Sequence, residues 1–178
     1  MEKSFKTFAF KPNEVVASIG ASGGVWEIYF ASQVENLTFY LQDIDENLCN
    51  QEEIEAGITF YEKFLKRAIS GKFFSVIGTE YQTKLPYHTF DKVLILNSFH
   101  EFSFPDAMLQ DIANILKPQG ILFIEEQLAS YEGEIHEGCL KALYREPVLI
   151  DFVIQFGFTL LKIVDKGNAV KIFSFQKK

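Results

Sequence analysis

Short apolar segments of the kind that form buried strands alternate along this chain with segments of helical periodicity. The first strand-like segment covers residues 14–19 and ends at Gly20, and apolar residues recur every three or four positions over residues 46–70. Strands that alternate with helices form a mostly parallel sheet, because right-handed crossovers lay the helices on its two faces. The sequence therefore predicts an α/β fold built on a doubly wound sheet.

Seven strand-like segments and four helical segments account for most of the chain. The strands are predicted over residues 14–19, 37–42, 72–77, 90–97, 121–124, 158–164 and 169–175, and the helices over residues 25–33, 46–70, 105–117 and 146–156. The last two strands are joined closely enough for a hairpin, so we expect an antiparallel edge. No repeat or linker divides the chain, which favours a single domain over residues 1–178.

The composition argues against several classes of function. The chain has 17 Lys and Arg against 24 Asp and Glu, for a formal net charge of -7, and an acidic surface repels nucleic-acid phosphates. No apolar run approaches the roughly 18 residues of a membrane span, and the N-terminus lacks the apolar core of a signal peptide. We expect a cytoplasmic protein that binds neither membranes nor nucleic acid.

The two cysteines, Cys49 and Cys139, are too few for a disulfide framework and too far apart for a paired-cysteine metal knuckle. His136 and Cys139 lie three residues apart among several acidic residues. No second Cys/His pair completes a set of four ligands, so the sequence predicts no metal site.

Four features fall where the first four strands end, which is the edge at which a doubly wound sheet binds its ligand. The turn at Gly20–Gly24 allows close approach to the backbone, and Asp43 could accept hydrogen bonds from both hydroxyls of a ribose. The other two are residues 78–80 and residues 97–102. A glycine turn alone can be structural, and Asp43 alone could cap a helix. Their joint position favours a ligand site.

These segments resemble class I S-adenosylmethionine-dependent methyltransferases over nearly the whole chain. VVASIGASGG is similar to the family's first strand and GxGxG turn, and LQDID to the strand end that supplies a ribose-binding acid. The most specific match is FDKVLILNSFHEFSFPDAMLQDIANILKPQGILFIEEQL. The resemblance implies a Rossmann-like seven-stranded sheet, mostly parallel with an antiparallel C-terminal hairpin. It also implies S-adenosylmethionine as cofactor and S-adenosylhomocysteine as product.

The resemblance assigns cofactor contacts along this edge and also shows departures from the family pattern. The implied contacts are Gly20, Ala21 and Ser22 under the methionine part, Asp43 at the ribose, Ile44 on the adenine, Thr79 and Glu80 at the adenine edge, and Asn97, Ser98 and Phe99 near the sulfonium. Ser18 and Thr79 stand where many relatives carry an acid, and Ser22 replaces the middle glycine.

In methyl transfer the cofactor supplies the reactivity, and the protein supplies mainly alignment and desolvation. His100 and Glu101 follow the fourth strand near the expected methyl group, so we expect one of them to contact the acceptor or take its proton. The loop over residues 127–145 is expected to cover the acceptor site, where Tyr131 and Phe102 would contribute to an aromatic, acidic mouth. Phe99 and Phe104 complete this mouth.

The leading hypothesis is a methyltransferase that acts on a small, neutral or cationic acceptor. Only about 13 residues precede the first strand, so we expect the site to be covered by the loop over residues 127–145 or by a partner subunit, for which a homodimer is one candidate. Otherwise the site is open and could take a large acceptor. The alternative is a degenerate homologue that binds the cofactor without transfer and serves as an interaction or regulatory subunit. A dinucleotide fingerprint would need glycine where Ser22 and Val25 stand, and neither a P-loop nor GxSxG occurs.

Overall fold

The computed structural model describes residues 1–178 and contains a seven-stranded sheet in the order β3-β2-β1-β4-β5-β7-β6. The strands are β1 (Val15–Ile19), β2 (Thr38–Asp43), β3 (Lys72–Ile77), β4 (Phe90–Leu96), β5 (Leu116–Gln127), β6 (Phe158–Gly167) and β7 (Val170–Lys177). The helices are α1 (Glu2–Phe8), α2 (Val25–Ala31), α3 (Gln51–Leu65), α4 (Pro105–Ile115) and α5 (Glu146–Ile154). None of these helices combines the length and hydrophobicity that crossing a bilayer requires.

Alternate side chains of the central strands belong to two different cores. Val16 packs with α1, α2 and α3 on one face, whereas Ala17 packs with α4 and α5 on the other. This follows from the two-residue period of a strand, whose successive side chains point to opposite faces. The predicted doubly wound sheet with helices on both faces is confirmed.

The C-terminal hairpin is also confirmed, and its place in the sheet is more specific than predicted. β7 pairs antiparallel with both β5 and β6, so it lies inside the sheet and β6 forms the edge. β6 therefore runs in the same direction as the first five strands, and β7 is the single antiparallel strand.

The predicted helix over residues 46–70 was too long at both ends. The Asn50 side chain accepts a hydrogen bond from the Glu53 N–H and caps the start of α3. Lys66 adopts a left-handed φ of 54°, which ends the helix five residues before Gly71.

The segment before β1 forms a helix that the sequence analysis did not predict. Phe8 is fully buried, and its ring packs edge-on against Phe30 and Phe123. Lys92, near the start of β4, donates a hydrogen bond to the Ala9 carbonyl. The segment therefore contributes to the core below the sheet and does not cover the strand ends at which a ligand was expected.

Glu27 of α2 is a buried acid that contacts β1. Its side chain accepts a hydrogen bond of 2.6 Å from the Ser18 hydroxyl, and the residue is only 2% exposed. Burial raises the pKa of Glu27 from 4.5 to about 7, which outweighs the lowering effect of the Ser18 hydrogen bond. Ser18 of β1 is thus paired with a buried glutamate of the following helix.

We predict that Glu27→Gln removes a pH dependence of stability. The pKa of Glu27 is about 7 in the folded state and about 4.5 in the unfolded state. The protonated side chain therefore stabilises the fold fully below about pH 4.5, and this contribution is lost as the pH rises through about 7. Ionisation should therefore cost the folded state on the order of 3 kcal/mol by about pH 8.5. Urea denaturation at about pH 5 and about pH 8.5 measures this, with the exposed Glu35→Gln as control. Equal pH dependence in wild type and Glu27→Gln would contradict the prediction.

Candidate functional site

A cavity of about 310 Å³ opens at the C-terminal ends of β1 to β4. Because parallel strands end together at one edge of the sheet, the loops that follow them converge there. The cavity is lined by Ile19, Gly20, Ser22, Gln42, Asp43, Ile44, Leu48, Thr79, Glu80, Leu96, Asn97, Ser98, Glu101, Phe102, Ser103 and Met108.

The turn after β1 lies directly against the end of β4. Gly20 has a φ of +69°, and a Cβ there would lie 2.6 Å from the Ser98 hydroxyl oxygen. Ser98 in turn donates a hydrogen bond to the Ile19 carbonyl. This contact leaves no room for a side chain at Gly20, so the glycine of the predicted motif is required for packing as well as for conformation.

Asp43 connects the end of β2 to the same turn. One carboxylate oxygen accepts a hydrogen bond from the Ser22 N–H at 2.9 Å, and the other accepts from the backbone N–H groups of Ile44 and Asp45. Three backbone donors thus orient the side chain, and about one of its four lone-pair positions is left for a ligand.

Ser22 occupies a conformation that normally favours glycine. It has a φ of +48°, is exposed and lines the cavity. A left-handed conformation costs a residue with a Cβ roughly 1–2 kcal/mol. The Asp43 hydrogen bond holds Ser22 in this conformation and so keeps the turn open towards the cavity.

Gln42 is a cavity residue that the sequence analysis missed. The residue is 1% exposed, and its side-chain amide oxygen Oε1 is buried without a hydrogen-bond partner. An orphaned acceptor of this kind is unfavourable unless a ligand satisfies it. The only hint in the sequence is its position directly before Asp43 at the strand end.

Two exposed apolar side chains form one side of the cavity rim. Ile44 is 56% exposed and Leu48 is 51% exposed, and both line the cavity. Ile44 was predicted and Leu48 was not. Neighbouring exposed apolar residues beside a polar cavity are typical of a surface that stacks on a flat ligand.

Most of the other predicted residues lie where the sequence analysis expected them. Thr79, Asn97 and Glu101 line the cavity, as does Glu80, which accepts a hydrogen bond from Ser103 on the opposite loop. These contacts close the cavity on the side of β3 and β4.

Three predicted site residues do not line the cavity: Ala21, Phe99 and His100. Phe99 is fully buried and its ring packs against Tyr144 in the core. The Phe99 side chain thus points into the core, away from the cavity that the neighbouring Ser98 lines. Phe99 supports the site from below, and Phe102 supplies the aromatic surface inside the cavity.

His100 is buried behind Glu101 and faces the end of β5. Its Nδ1 lies 2.8 Å from a carboxylate oxygen of Glu126, and its backbone N–H donates to the other oxygen. The hydrogen bond to Glu126 raises the pKa of His100, and burial opposes this rise. His100 does not reach the cavity, whereas the neighbouring carboxylate of Glu101 does.

No residue of the loop over residues 127–145 lines the cavity, but Cys139 of this loop contacts His100, the neighbour of Glu101. Ile135 and Ala142 form an isolated antiparallel bridge that makes the loop a small hairpin. Tyr131 lines a second cavity of about 340 Å³ with residues 134–137, and Phe104 packs on Tyr81. Of the predicted aromatic mouth, only Phe102 lines the main cavity.

Comparisons with known proteins agree with this architecture. The profile of the methyltransferase domain family matches residues 18–124, and no curated protein matches the sequence. An S-adenosylmethionine-dependent methyltransferase from Aquifex aeolicus superposes with a TM-score of 0.75 at 21% identity, over 99% of this chain and 89% of that chain.

Two further solved structures share the fold at lower identity. Magnesium protoporphyrin IX methyltransferase from Synechocystis PCC 6803, with bound S-adenosylhomocysteine, has a TM-score of 0.70 at 14% identity and covers 99% of this chain and 80% of that chain. The 4+2 cyclase SpnF has a TM-score of 0.72 at 15% identity, over 99% and 81%.

The sheet order and the ligand edge define the Rossmann-like fold of S-adenosylmethionine-dependent methyltransferases. With more than half of its length matched by the family profile, the chain belongs to the methyltransferase domain family.

We predict that Gly20→Ala destabilises the protein by roughly 2–4 kcal/mol, through left-handed strain and overpacking against Ser98. Adding Ser98→Gly should remove the overpacking and give a measurable coupling energy in a double-mutant cycle. Gly23→Ala is the matched control, because its Cβ would meet nothing closer than 3.8 Å. Additive effects of Gly20→Ala and Ser98→Gly on urea denaturation would show that the close contact is not the cause.

Proposed function

We propose that residues 1–178 act as one domain that binds S-adenosylmethionine in the cavity and transfers its methyl group to a small-molecule acceptor. The observation that carries the proposal is the ring of ligand-facing groups around one cavity at the ends of β1, β2 and β4. Family membership supports the reaction class, and the formal net charge of -7 favours a neutral or cationic acceptor over a phosphorylated one.

The residues of the cavity fit the parts of this cofactor. Ile44 and Leu48 would pack on the adenine ring, and the orphaned side-chain oxygen Oε1 of Gln42 would accept a hydrogen bond from the adenine amine. Asp43 would accept from a ribose hydroxyl through its remaining lone pair. The turn at Gly20–Ser22 would pass under the methionine part.

The bound cofactor would supply a sulfonium-activated methyl group. The chain would then hold the acceptor in line and exclude water. Phe102 and Met108 offer apolar surface on the β4 side of the cavity. Glu101 is the titratable residue of the predicted catalytic pair that lines the cavity, so we assign it the contact with the acceptor. His100 would position the 3-10 turn that carries Glu101.

We predict that Asp43→Asn lowers the affinity for S-adenosylhomocysteine at least tenfold, because it removes a charged acceptor and places an amide next to the Ser22 N–H. Isothermal titration calorimetry measures the affinity, and thermal unfolding without ligand separates lost binding from lost stability. Asp45→Asn, on the same loop but outside the cavity, is the matched control. Unchanged affinity in Asp43→Asn would contradict the assigned ribose contact.

We predict that Glu101→Gln lowers methyl transfer at least tenfold while the affinity for S-adenosylhomocysteine changes less than twofold. The assay follows labelled methyl from S-adenosylmethionine into a panel of amines, alcohols and thiols. Glu35→Gln, which changes an exposed carboxylate outside the cavity, serves as control. A parallel loss of cofactor affinity and transfer would show that Glu101 acts on the cofactor and not on the acceptor.

One observation favours a second candidate function, a cofactor-binding homologue without transfer activity. Asp43 already satisfies three backbone donors, and the Ser22 side chain occupies the edge of the cavity. Ser22→Gly separates the two functions. If the Ser22 side chain only narrows the path of the cofactor into the cavity, the glycine variant binds S-adenosylmethionine more tightly and wild type still transfers methyl groups. Binding by both proteins without transfer to any acceptor would favour the interaction or regulatory subunit.

A further inference from the structure

Three side chains of types that bind metals converge beside the cavity, two from the loop over residues 127–145 and one from the turn after β4. The Cys139 sulfur lies 3.3 Å from His100 Nε2 and 3.3 Å from His136 Nδ1. All three atoms lie within 4.8 Å of one another. The pair on the loop was visible in the sequence, but the third member comes from the 3-10 turn (Phe99–Glu101) after β4. The missing partner of the loop pair is therefore His100.

These distances suit a tetrahedral transition metal. Bonds of about 2.3 Å to sulfur and about 2.0 Å to nitrogen place sulfur and nitrogen ligands about 3.6 Å apart, and two nitrogens about 3.3 Å apart. Both sulfur–nitrogen distances are already close to this value. A small rotation of the half-buried His136 ring would bring the two nitrogens together, because the loop residue is less constrained than His100.

Glu126 supplies the outer contact that metal-binding histidines commonly have. It is fully buried, and its carboxylate accepts the proton of His100 Nδ1, which leaves the Nε2 lone pair directed towards Cys139. A carboxylate that holds a histidine in this tautomer and orientation strengthens the metal site. A thiolate with two imidazoles is a donor set that favours Zn²⁺ over Mg²⁺ or Ca²⁺.

We propose that His100, His136 and Cys139 bind Zn²⁺ with three protein ligands and leave the fourth position to an exchangeable group. Three ligands with one open position is the arrangement of reactive zinc sites and not of closed structural ones. A carboxylate oxygen of Glu101 lies 3.7 Å from His100 Nε2, and Glu101 also lines the cavity. Glu101 therefore lies between the proposed zinc site and the cavity. The proposal does not depend on methyl transfer.

Binding would also fasten the loop over residues 127–145 to the core. His136 and Cys139 lie on the small hairpin of that loop, where the Leu140 N–H donates to the His136 carbonyl. His100 is anchored between β4 and β5. The metal would thus join a surface loop to the rim of the cavity.

The direct test is titration of the metal-free protein with Zn²⁺ by calorimetry and with Co²⁺ by absorption. We expect one metal per chain, a thiolate-to-Co²⁺ charge-transfer band and the strong visible bands of four-coordinate Co²⁺. Cys139→Ser and His136→Asn should each weaken Zn²⁺ binding at least 100-fold. Glu126→Gln should weaken it roughly 10- to 100-fold and keep the charge-transfer band, because this residue positions a ligand without being one.

The chain offers a matched control for each ligand type. Cys49→Ser changes the other cysteine and His88→Asn changes an exposed histidine, and both should bind Zn²⁺ as wild type does. Zn²⁺ should also slow tryptic cleavage at the exposed Lys141 in wild type and not in Cys139→Ser. Zn²⁺ binding that is equal in wild type and in the Cys139→Ser/His136→Asn double variant, or Co²⁺ spectra without a thiolate band, would overturn the proposal.

Discussion

The turn after β1 lies so close to the end of β4 that no side chain fits between them, and the geometry of the ligand edge depends on this contact. Gly20 provides the space, and the Ser98 hydroxyl fills it while bonding to the Ile19 carbonyl. The two central strands are thereby joined at their C-terminal ends. The loops after β2 and β3 then have a fixed surface against which to form the cavity.

Two carboxylates orient the groups on either side of this contact. Asp43 accepts hydrogen bonds from backbone N–H groups of the glycine turn and of its own loop. Glu126 accepts hydrogen bonds from the backbone N–H and from the ring of His100. Each carboxylate uses charged hydrogen bonds, which are shorter and stronger than neutral ones, to hold a functional residue in place. The proposed cofactor site and the proposed zinc site are therefore both held in place by a hydrogen-bonded carboxylate, and Glu101 lies between them.

The proposed metal site bears on the acceptor. A zinc ion near Glu101 could bind a thiol or another soft donor and lower its pKa, because metal-bound ligands are deprotonated more readily. The fold alone cannot specify this chemistry, since the same sheet occurs in the cyclase SpnF at 15% identity.

Local patterns were sufficient to predict the number and order of the strands and the edge at which the cavity lies, although β5 begins at Leu116, inside the segment predicted as a helix end and turn. A buried strand is a short apolar run, glycine marks the turn, and an acid at a strand end lies at that edge, so Gly20, Asp43 and Ser98 could be located from the sequence and its family resemblance. The helix ends were harder to predict. Lys66 ends α3 by adopting a left-handed backbone conformation, which a lysine does not indicate in the sequence. The directions of the side chains were harder still to predict, since Phe99 and His100, one and two residues after Ser98, both turn inward.

The sequence by itself determined the class of fold, the order of its elements and most of the cavity rim, because hydrophobic period and turn residues act over a few neighbouring positions. Only the tertiary structure decided which distant side chains meet. It buried Gln42 with an unsatisfied oxygen, bonded Ser18 to Glu27, and brought His100 to His136 and Cys139 across more than thirty residues of chain. These pairings depend on how the strands and loops pack in three dimensions, and they cannot be inferred from the spacing of the residues along the chain.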